Sequence, residues 1–221
     1  MFKDRERQNG LYLPIHGKIV QGDACNLDPQ LVKEMPMNMS ANFKVEVVDQ
    51  ENQSKYFELQ LSRRPEPGVY KQVLRLVSKD GKYTMEAVEH NPGYLKHVFN
   101  LKNASFTQKI KHSSRVLSFN ITTKINGVHH PAFRAQKFIP WSFQCLNGQK
   151  NFTHILADFE SGSDTYQKFL KDLKKCDGNE LEAMKQAYSH QIKIDLGFEL
   201  NPESVHHVNG RKPCVLALYS K

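Results

Sequence analysis

The sequence has no long apolar run. Its longest, Cys214 to Tyr219, is much shorter than the about 20 residues that a membrane-spanning helix needs. The opening stretch MFKDRERQNG carries charges of both signs and no apolar segment, so we predict no signal peptide. Only four cysteines occur, far apart and without a C-x-x-C pair (Cys25, Cys145, Cys176 and Cys214). This spacing indicates neither a disulfide framework nor a zinc ribbon, and we expect reduced thiols in the cytosol or nucleus and no association with a membrane.

Motifs typical of enzymes are also missing. The sequence contains no G-x-G-x-x-G, P-loop, G-x-S-x-G or H-E-x-x-H pattern. A Cys145 nucleophile with a His154 base is conceivable, but a cysteine and a histidine at such spacing are common. The doublets His129-His130 and His206-His207 are poor chelates, because adjacent residues of a strand point to opposite faces. We therefore predict a protein that is not an enzyme and that binds no metal or cofactor.

Acidic residues are absent from one long stretch of the chain. The 68 residues between Glu89 and Asp158 contain no Asp or Glu but nine Lys or Arg residues. The whole chain has a net charge of +8. Residues 1–140 hold 21 basic and 13 acidic side chains, and residues 141–221 hold 10 of each. Ordinary protein surfaces mix positive and negative charges. A surface of positive charge alone suits a polyanion, because each cation that binds it releases a condensed counterion. Nucleic acid is the commonest such partner.

Residues 40–140 show the alternation of β-strands separated by turns. Phe43, Val45 and Val47 alternate with charged residues, and Asp80-Gly81 lies between two β-prone runs as in a tight hairpin. The run LSFNITTKI, residues 117–125, also alternates, and AFRAQKFIPW, residues 132–141, is predicted as the last strand. This pattern predicts a mainly β protein, specifically an antiparallel immunoglobulin-like β-sandwich. We assign it to residues 1–140.

The pattern changes after residue 140. DTYQKFLKDLKKC places apolar residues at helical spacing, with Asp164 as the predicted N-cap and Gly178 near the end. NELEAMKQAYSH indicates a second helical face with Leu181, Met184 and Tyr188. The final residues predict a hairpin around Asn209-Gly210. We therefore predict a small α-helical region with a terminal hairpin over residues 141–221, serving dimerisation or a second contact.

Several cations lie next to predicted turns. In LSRRPEPG, two arginines end a strand before a proline-stiffened turn, where a guanidinium could reach a phosphate or the edge of a guanine. In QKIKHSSR, cations are mixed with small hydroxyls, a combination that contacts DNA backbone. The alternative for each is a solvated surface side chain. The predicted DNA-binding residues are Arg63, Arg64, Lys71, Lys109, Lys111, Arg115, Arg134 and Lys137.

A family resemblance points the same way. FNLKNASFTQKIKHSSRVLSFNITTKINGVHHPAFRAQKFIPW resembles the closing strands of immunoglobulin-like DNA-binding domains of the Rel, Runt and STAT type. NGLYLPIHGKIVQGDAC is similar to the opening of the plant calmodulin-binding-protein transcription factors, and the CudA-like regulators of amoebae are a further comparison. The resemblance covers residues 9–140 and no SH2-type arginine motif follows. It implies that loops at one end of the sandwich grip DNA, through Arg63, Arg64, Lys109, Lys111 and Arg115.

Two functions follow as expectations. The first is sequence-specific binding of double-stranded DNA by a nuclear transcription regulator that acts as a homodimer. The second is a β-sandwich module for protein interaction, such as a scaffold, adhesion domain or virulence factor, without nucleic acid. Five N-x-S/T sequons (Asn38, Asn52, Asn103, Asn120 and Asn151) suit a glycosylated version of this second class.

Overall fold

The computed structural model describes residues 17–63, 70–90, 93, 95, 111, 114–146 and 152–221. The chain divides into two compact units. The first unit comprises Met1–Val88 and Phe119–Lys150, and the second comprises Glu89–Ser118 and Asn151–Lys221. Strand residues outnumber helical residues, which confirms a mainly β protein. Each unit joins two separated stretches of chain, and the proposed domain limit at residue 140 stays a prediction.

Four strands lie in the first unit, and a fifth begins in it. They are β1 (Ile19–Gln21), β2 (Met39–Val48), β3 (Ser54–Arg63), β4 (Tyr70–Ser78) and β5 (Thr84–His90), and they are hydrogen-bonded in chain order. The pairs β2–β3 and β3–β4 are antiparallel, whereas β1 runs parallel to β2 with Val20 opposite Val45. The predicted hairpin at Asp80-Gly81 is confirmed, since Gly81 has the positive φ of 72° that such a turn favours.

The alternating residues of β2 and β3 separate a buried face from a wet one. Phe43, Val45 and Leu59 are buried, while Lys44 and Glu58 lie opposite each other on the exposed face. Two helices, α1 (Pro29–Glu34) and α2 (Ala135–Leu146), supply further core residues that include Val32, Phe138 and Trp141. The indole N–H of Trp141 donates to the Leu27 carbonyl at 2.8 Å.

Helix α2 corrects the prediction of a final strand over residues 132–141. The buried pairs Phe138-Ile139, Trp141-Ser142 and Cys145-Leu146 recur every three to four residues, which is the helical period. Only the first of these pairs lies wholly inside residues 132–141, and a proline in a helix interior is unfavourable. Pro140 nevertheless lies within α2.

Strands β5 and β6 (Val116–Thr122) contribute residues to both units. In the second unit β6 pairs in parallel with β9 (His154–Glu160), and β9 pairs antiparallel with β12 (Cys214–Ser220). Strand β12 also pairs with β10 (Glu199–Leu200) and with β11 (His206–Val208), which confirms the terminal hairpin. Because β1–β2 and β6–β9 are parallel, the sheet is mixed and the prediction of a purely antiparallel one is wrong.

Three helices accompany these strands: α3 (Asp164–Lys175), α4 (Glu180–Lys185) and α5 (Tyr188–Asp195). The N-cap of α3 is Ser163, whose hydroxyl accepts from the Tyr166 N–H at 3.1 Å, and Asp164 is the first helical residue instead of the predicted cap. The second predicted helical face breaks into α4 and α5, which leaves Tyr188 55% exposed.

The second unit has its own apolar core. Leu95, Val116, Leu156, Leu216 and Leu218 form one buried cluster within it. The longest of the helices over the described residues, α2 and α3, have 12 residues each. None of the described helices has both the length and the apolar character that crossing a membrane requires.

Candidate nucleic-acid interface

A short hairpin of the first unit lies in the middle of the acid-free stretch. It consists of β7 (Lys124–Ile125) and β8 (Val128–His129), paired antiparallel with Lys124 opposite His129. Asn126 and Gly127 form its turn with φ values of 49° and 82°, the left-handed conformation that a two-residue hairpin requires and that these residues favour. Lys124 and His129 are exposed, and Val128 is 63% exposed. The hairpin therefore offers the ammonium of Lys124, the imidazole of His129 and one apolar side chain to a partner.

His130 anchors the base of this hairpin. Its ring centroid lies 5.1 Å from that of Phe57, 4.9 Å from that of Tyr83 and 4.7 Å from that of Phe133. Its Nδ1 accepts from the Ala132 N–H at 3.2 Å, which assigns the proton of the neutral ring to Nε2. Burial lowers the pKa of His130, an effect that nearby Asp80 partly opposes. The neutral ring in its aromatic surroundings holds the hairpin in one orientation.

The start of α2 follows directly after this anchor. Arg134 is exposed, and its carbonyl accepts from the backbone N–H groups of Lys137 and Phe138 at 3.1 Å each. The first turn of α2 contains no acidic residue. A helix start is the positive end of the helix dipole and favours acids, so a cation there is electrostatically unfavourable. Arg134 is thus accessible to a partner, as predicted. It lies at the start of a helix, however, and not in the predicted strand.

Lys137 also lies in α2 and not in the predicted strand. Its Nζ is 3.1 Å from Oδ2 of Asp23, a carboxylate that is almost fully buried. The Lys137 side chain itself is 52% exposed. Asp23 also accepts from the Cys25 N–H at 2.9 Å. A buried carboxylate is costly unless a cation lies beside it. Lys137 therefore compensates the charge of Asp23.

Arg63 lies in the core and not in the exposed loop that was predicted. It is 1% exposed at the end of β3, and its Nη1 donates to the carbonyls of Val32, Lys33 and Met35 at 3.0, 3.0 and 2.7 Å. These carbonyls end α1, where helical backbone acceptors have no partner within the helix. Arg63 therefore caps a helix inside the core, and the prediction that it lies in an exposed phosphate-binding loop is wrong.

Two more predicted cations belong to the second unit. Lys111 is exposed, and its carbonyl accepts from the Ser114 N–H at 3.0 Å. Arg115 is half-buried, with Nε 3.7 Å from Oε1 of Glu89, which is 1% exposed. Lys111 is exposed, as predicted. Arg115, like Lys137, lies beside a buried carboxylate.

Three predicted residues are not placed by the structure. Arg64 and Lys109 lie outside the described residues, and for Lys71 only the backbone position in β4 is described. Their assignment to DNA binding stays a prediction. Lys124 lies in the cation-rich stretch but is not among the predicted contacts. No hairpin was predicted at Asn126-Gly127. That dipeptide is the signal that could have located the hairpin.

The described residues contain no group of three or more His, Cys, Asp or Glu side chains placed to hold a metal ion. Comparisons with family models, with curated proteins and with solved structures found no match.

Proposed function

We propose that this chain binds double-stranded DNA and that the β7–β8 hairpin and the start of α2 form the contact in the first unit. The observation that carries the proposal is the exposure of Lys124, His129 and Arg134 in a part of the chain without a single acidic residue. A two-stranded ribbon fits the major groove of B-DNA, and exposed lysine and arginine side chains at its base suit the phosphates.

The charge at the start of α2 supports this proposal. Arg134 lies where the helix dipole repels a cation by about 0.3–1 kcal/mol, so its position gives no stability to the helix. The helix start and the guanidinium both attract an anion. A phosphate bound there would gain from the two together. Among the described ion pairs, none involves Arg134.

We also propose further contacts and properties. Lys111 in the second unit is an exposed cation that suits the DNA backbone. Arg64, Lys71 and Lys109 are proposed contacts on sequence grounds. An immunoglobulin-like arrangement, a nuclear location, a role in transcription and a homodimer extend the proposal to the whole protein.

The test is fluorescence anisotropy of the chain with a random 30-base-pair duplex across a salt series. We expect tight binding at low salt and a linear fall of log K with log salt concentration. Lys124→Glu and Arg134→Glu should each weaken binding, and Lys124→Ala and Arg134→Ala should each reduce the magnitude of the salt slope by about 0.9, because each removes one phosphate contact. Lys111→Glu tests the second unit in the same way.

The matched control is Lys171→Glu, which reverses an exposed lysine of α3 in the part of the chain with balanced charge. It makes the same change in net charge as Lys124→Glu. If the control weakens binding as much as the hairpin variants do, the attraction is a general effect of net charge and the hairpin is not the contact. No binding at low salt would overturn the whole proposal.

Accessible sequons favour the alternative, a protein-interaction module without nucleic acid. The sequon residues Asn38, Asn52 and Asn120 are all exposed, and Asn38 and Asn52 occupy turns with φ values of 65° and 57°. An exposed turn is accessible to the glycosylation machinery. Electrophoretic mobility of the natural protein before and after glycosidase treatment distinguishes the two, because a shift would contradict a nuclear location.

A further inference from the structure

Helix α5 of the second unit carries two polar side chains, one turn apart, that contact each other. They are Ser189 in the first turn of the helix and Lys193 four residues later. The Nζ of Lys193 lies 2.7 Å from the Ser189 hydroxyl oxygen and 3.2 Å from the Ser189 carbonyl oxygen. A serine hydroxyl in direct contact with a buried amine is an arrangement that nucleophilic catalysis can use.

The environment of Lys193 favours its neutral form. The residue is 3% exposed, so its ammonium form loses most of its hydration. Its Nζ lies 4.9 Å from the centroid of the Tyr219 ring, a contact that favours the ammonium form but that burial outweighs. Burial lowers the pKa of Lys193 from 10.5 to about 7. A neutral amine can accept a proton, and a general base is most effective when its pKa is near the working pH.

Tyr219 and His190 hold this arrangement in place. The Tyr219 hydroxyl lies 3.1 Å from Nδ1 of His190, so it has a partner other than the amine of Lys193. The two rings also contact each other, with centroids 5.8 Å apart. The aromatic face of Tyr219 therefore packs against the amine while its hydroxyl is directed to the histidine. Both are positioning residues.

Ser189 is partly exposed, unlike Lys193. It is half-buried in the first turn of α5, where Ala187 is the N-cap and provides no side-chain cap. Backbone N–H groups in a first helical turn lack intrahelical acceptors. The Ser189 N–H is thus suited to stabilise negative charge that develops beside its own hydroxyl.

We propose that Ser189 is a nucleophile for transfer of small acyl groups from esters and that Lys193 is its general base. The Ser189 oxygen bonds to the acyl carbon, its proton passes to the Lys193 amine, and the bond to the leaving oxygen breaks. The protonated amine then gives that proton to the departing alkoxide. In the second step water attacks the acyl carbon while the same amine takes its proton, the bond between the acyl carbon and Ser189 Oγ breaks, and the amine returns the proton to Oγ. This activity is independent of DNA binding, and small esters suit a hydroxyl near the surface.

The experiment is labelling of the full chain with a fluorophosphonate probe, followed by peptide mass spectrometry. The probe forms an Oγ–P bond, fluoride leaves, and the proton passes to Lys193. We expect the label on Ser189, no label in Ser189→Ala, and labelling at least 100-fold slower in Lys193→Met because the general base is missing. A burst of p-nitrophenol from p-nitrophenyl acetate, lost in the same variants, would show acyl transfer.

Ser163→Ala is the matched control, because Ser163 also lies at a helix start but its hydroxyl donates to the Glu160 carbonyl instead of contacting an amine. It should label at the rate of the unaltered chain. Circular dichroism of each variant checks that the fold is intact. The proposal is overturned if the probe labels no residue, if it labels another residue, or if Lys193→Met labels at the unaltered rate.

Discussion

The two units each bury a long cationic side chain, but they accommodate it differently. In the first unit Arg63 is 1% exposed and donates to three backbone carbonyls at the end of α1. In the second unit Lys193 is 3% exposed and donates to the hydroxyl and carbonyl of Ser189 beside the Tyr219 ring. A guanidinium stays charged in proteins, so its site must supply acceptors, whereas an ammonium can lose its proton instead.

This difference separates a structural cation from one capable of chemistry. The Val32 carbonyl also accepts from the Met35 N–H at 3.2 Å, and Arg63 supplies a donor to the carbonyls of Lys33 and Met35 at the end of α1. Lys193 has less compensation, and burial lowers its pKa to about 7. Burial of a positive charge alone therefore does not indicate function. The number and type of its acceptors decide which role it has.

The largest effect that we expect is from Arg63→Met. The change leaves the carbonyls of Lys33 and Met35 without their donor and the Val32 carbonyl with the Met35 N–H alone, at a cost of about 1–3 kcal/mol for each unsatisfied group. We predict a loss of about 5 kcal/mol in the free energy of unfolding, measured by urea titration with circular dichroism.

The control for that prediction is Arg75→Met on the neighbouring strand β4. The Nε of Arg75 is 2.7 Å from Oε1 of Glu86, and its side chain is 45% exposed. An exposed ion pair contributes about 0–1 kcal/mol. Equal losses in the two variants would contradict the role of Arg63 as a buried helix cap.

Lys193→Met should increase the free energy of unfolding, whereas Arg63→Met decreases it. The unfolded lysine binds a proton below its ordinary pKa of 10.5, whereas the folded one binds it only below about 7. Folding is therefore penalised below pH 10.5, and the penalty is complete below pH 7. At about 1.36 kcal/mol per pKa unit, we predict that the variant is more stable by about 4 kcal/mol at pH 7 and by about 1 kcal/mol at pH 10.

His190 and Tyr219 are the ionisable groups that contact or lie beside the Lys193 amine, and neither should titrate over most of the range from pH 7 to pH 10. Burial, followed by the charges of Lys193 and Lys185, lowers the pKa of His190 below 6.5, and burial raises that of Tyr219 above 10, so both stay neutral over most of the range from pH 7 to pH 10. Lys171→Met, on the exposed surface of α3, should change stability by less than about 0.5 kcal/mol at both pH values. A gap between Lys193→Met and the unaltered chain that is independent of pH would show that the amine is not titrating.

A smaller effect is expected for a third buried base, His90. Its Nε2 lies 2.5 Å from the Ser118 hydroxyl, and burial lowers its pKa from 6.5 to about 4. The unfolded state thus binds the proton first, and stability is lost as the pH falls from 6.5 to 4. We predict that this histidine accounts for about 3 kcal/mol of that loss.

His90→Gln should remove this part of the pH dependence, because glutamine does not titrate. Thermal unfolding followed by circular dichroism at pH 7 and at pH 4.5 measures it. His129→Gln, which alters an exposed histidine of β8, is the control and should keep the full pH dependence. If His90→Gln keeps it as well, the acid sensitivity has its source elsewhere.

Local patterns in the sequence predicted several elements correctly. The alternation of Phe43 and Val45 located β2, Asp80-Gly81 and Asn209-Gly210 located two hairpins, and the spacing of Tyr166 and Phe169 located α3. Each of these signals acts within about a dozen residues. Helix α2 was missed because its helical period becomes visible only when Trp141–Leu146 is included, beyond the stretch that resembled a strand.

The candidate interface was only partly predictable for a related reason. The acid-free stretch is a property of composition, and Lys111 and Arg134 are as accessible as expected. Whether a given cation faces solvent, a buried carboxylate or a helix end depends on residues far away in the chain. Lys137 meets Asp23 and Arg115 meets Glu89 through such distant contacts.

By itself, the sequence determined the mainly β character, the position of its turns and the excess of positive charge between Glu89 and Asp158, because these follow from nearest-neighbour preferences and from composition. Only the tertiary structure decided that Arg63 is a core residue, that His130 holds a hairpin among three aromatic rings, and that Lys193 is buried beside Tyr219 while in contact with Ser189. Burial and pKa depend on which distant segments pack together, and packing is a property of the whole fold.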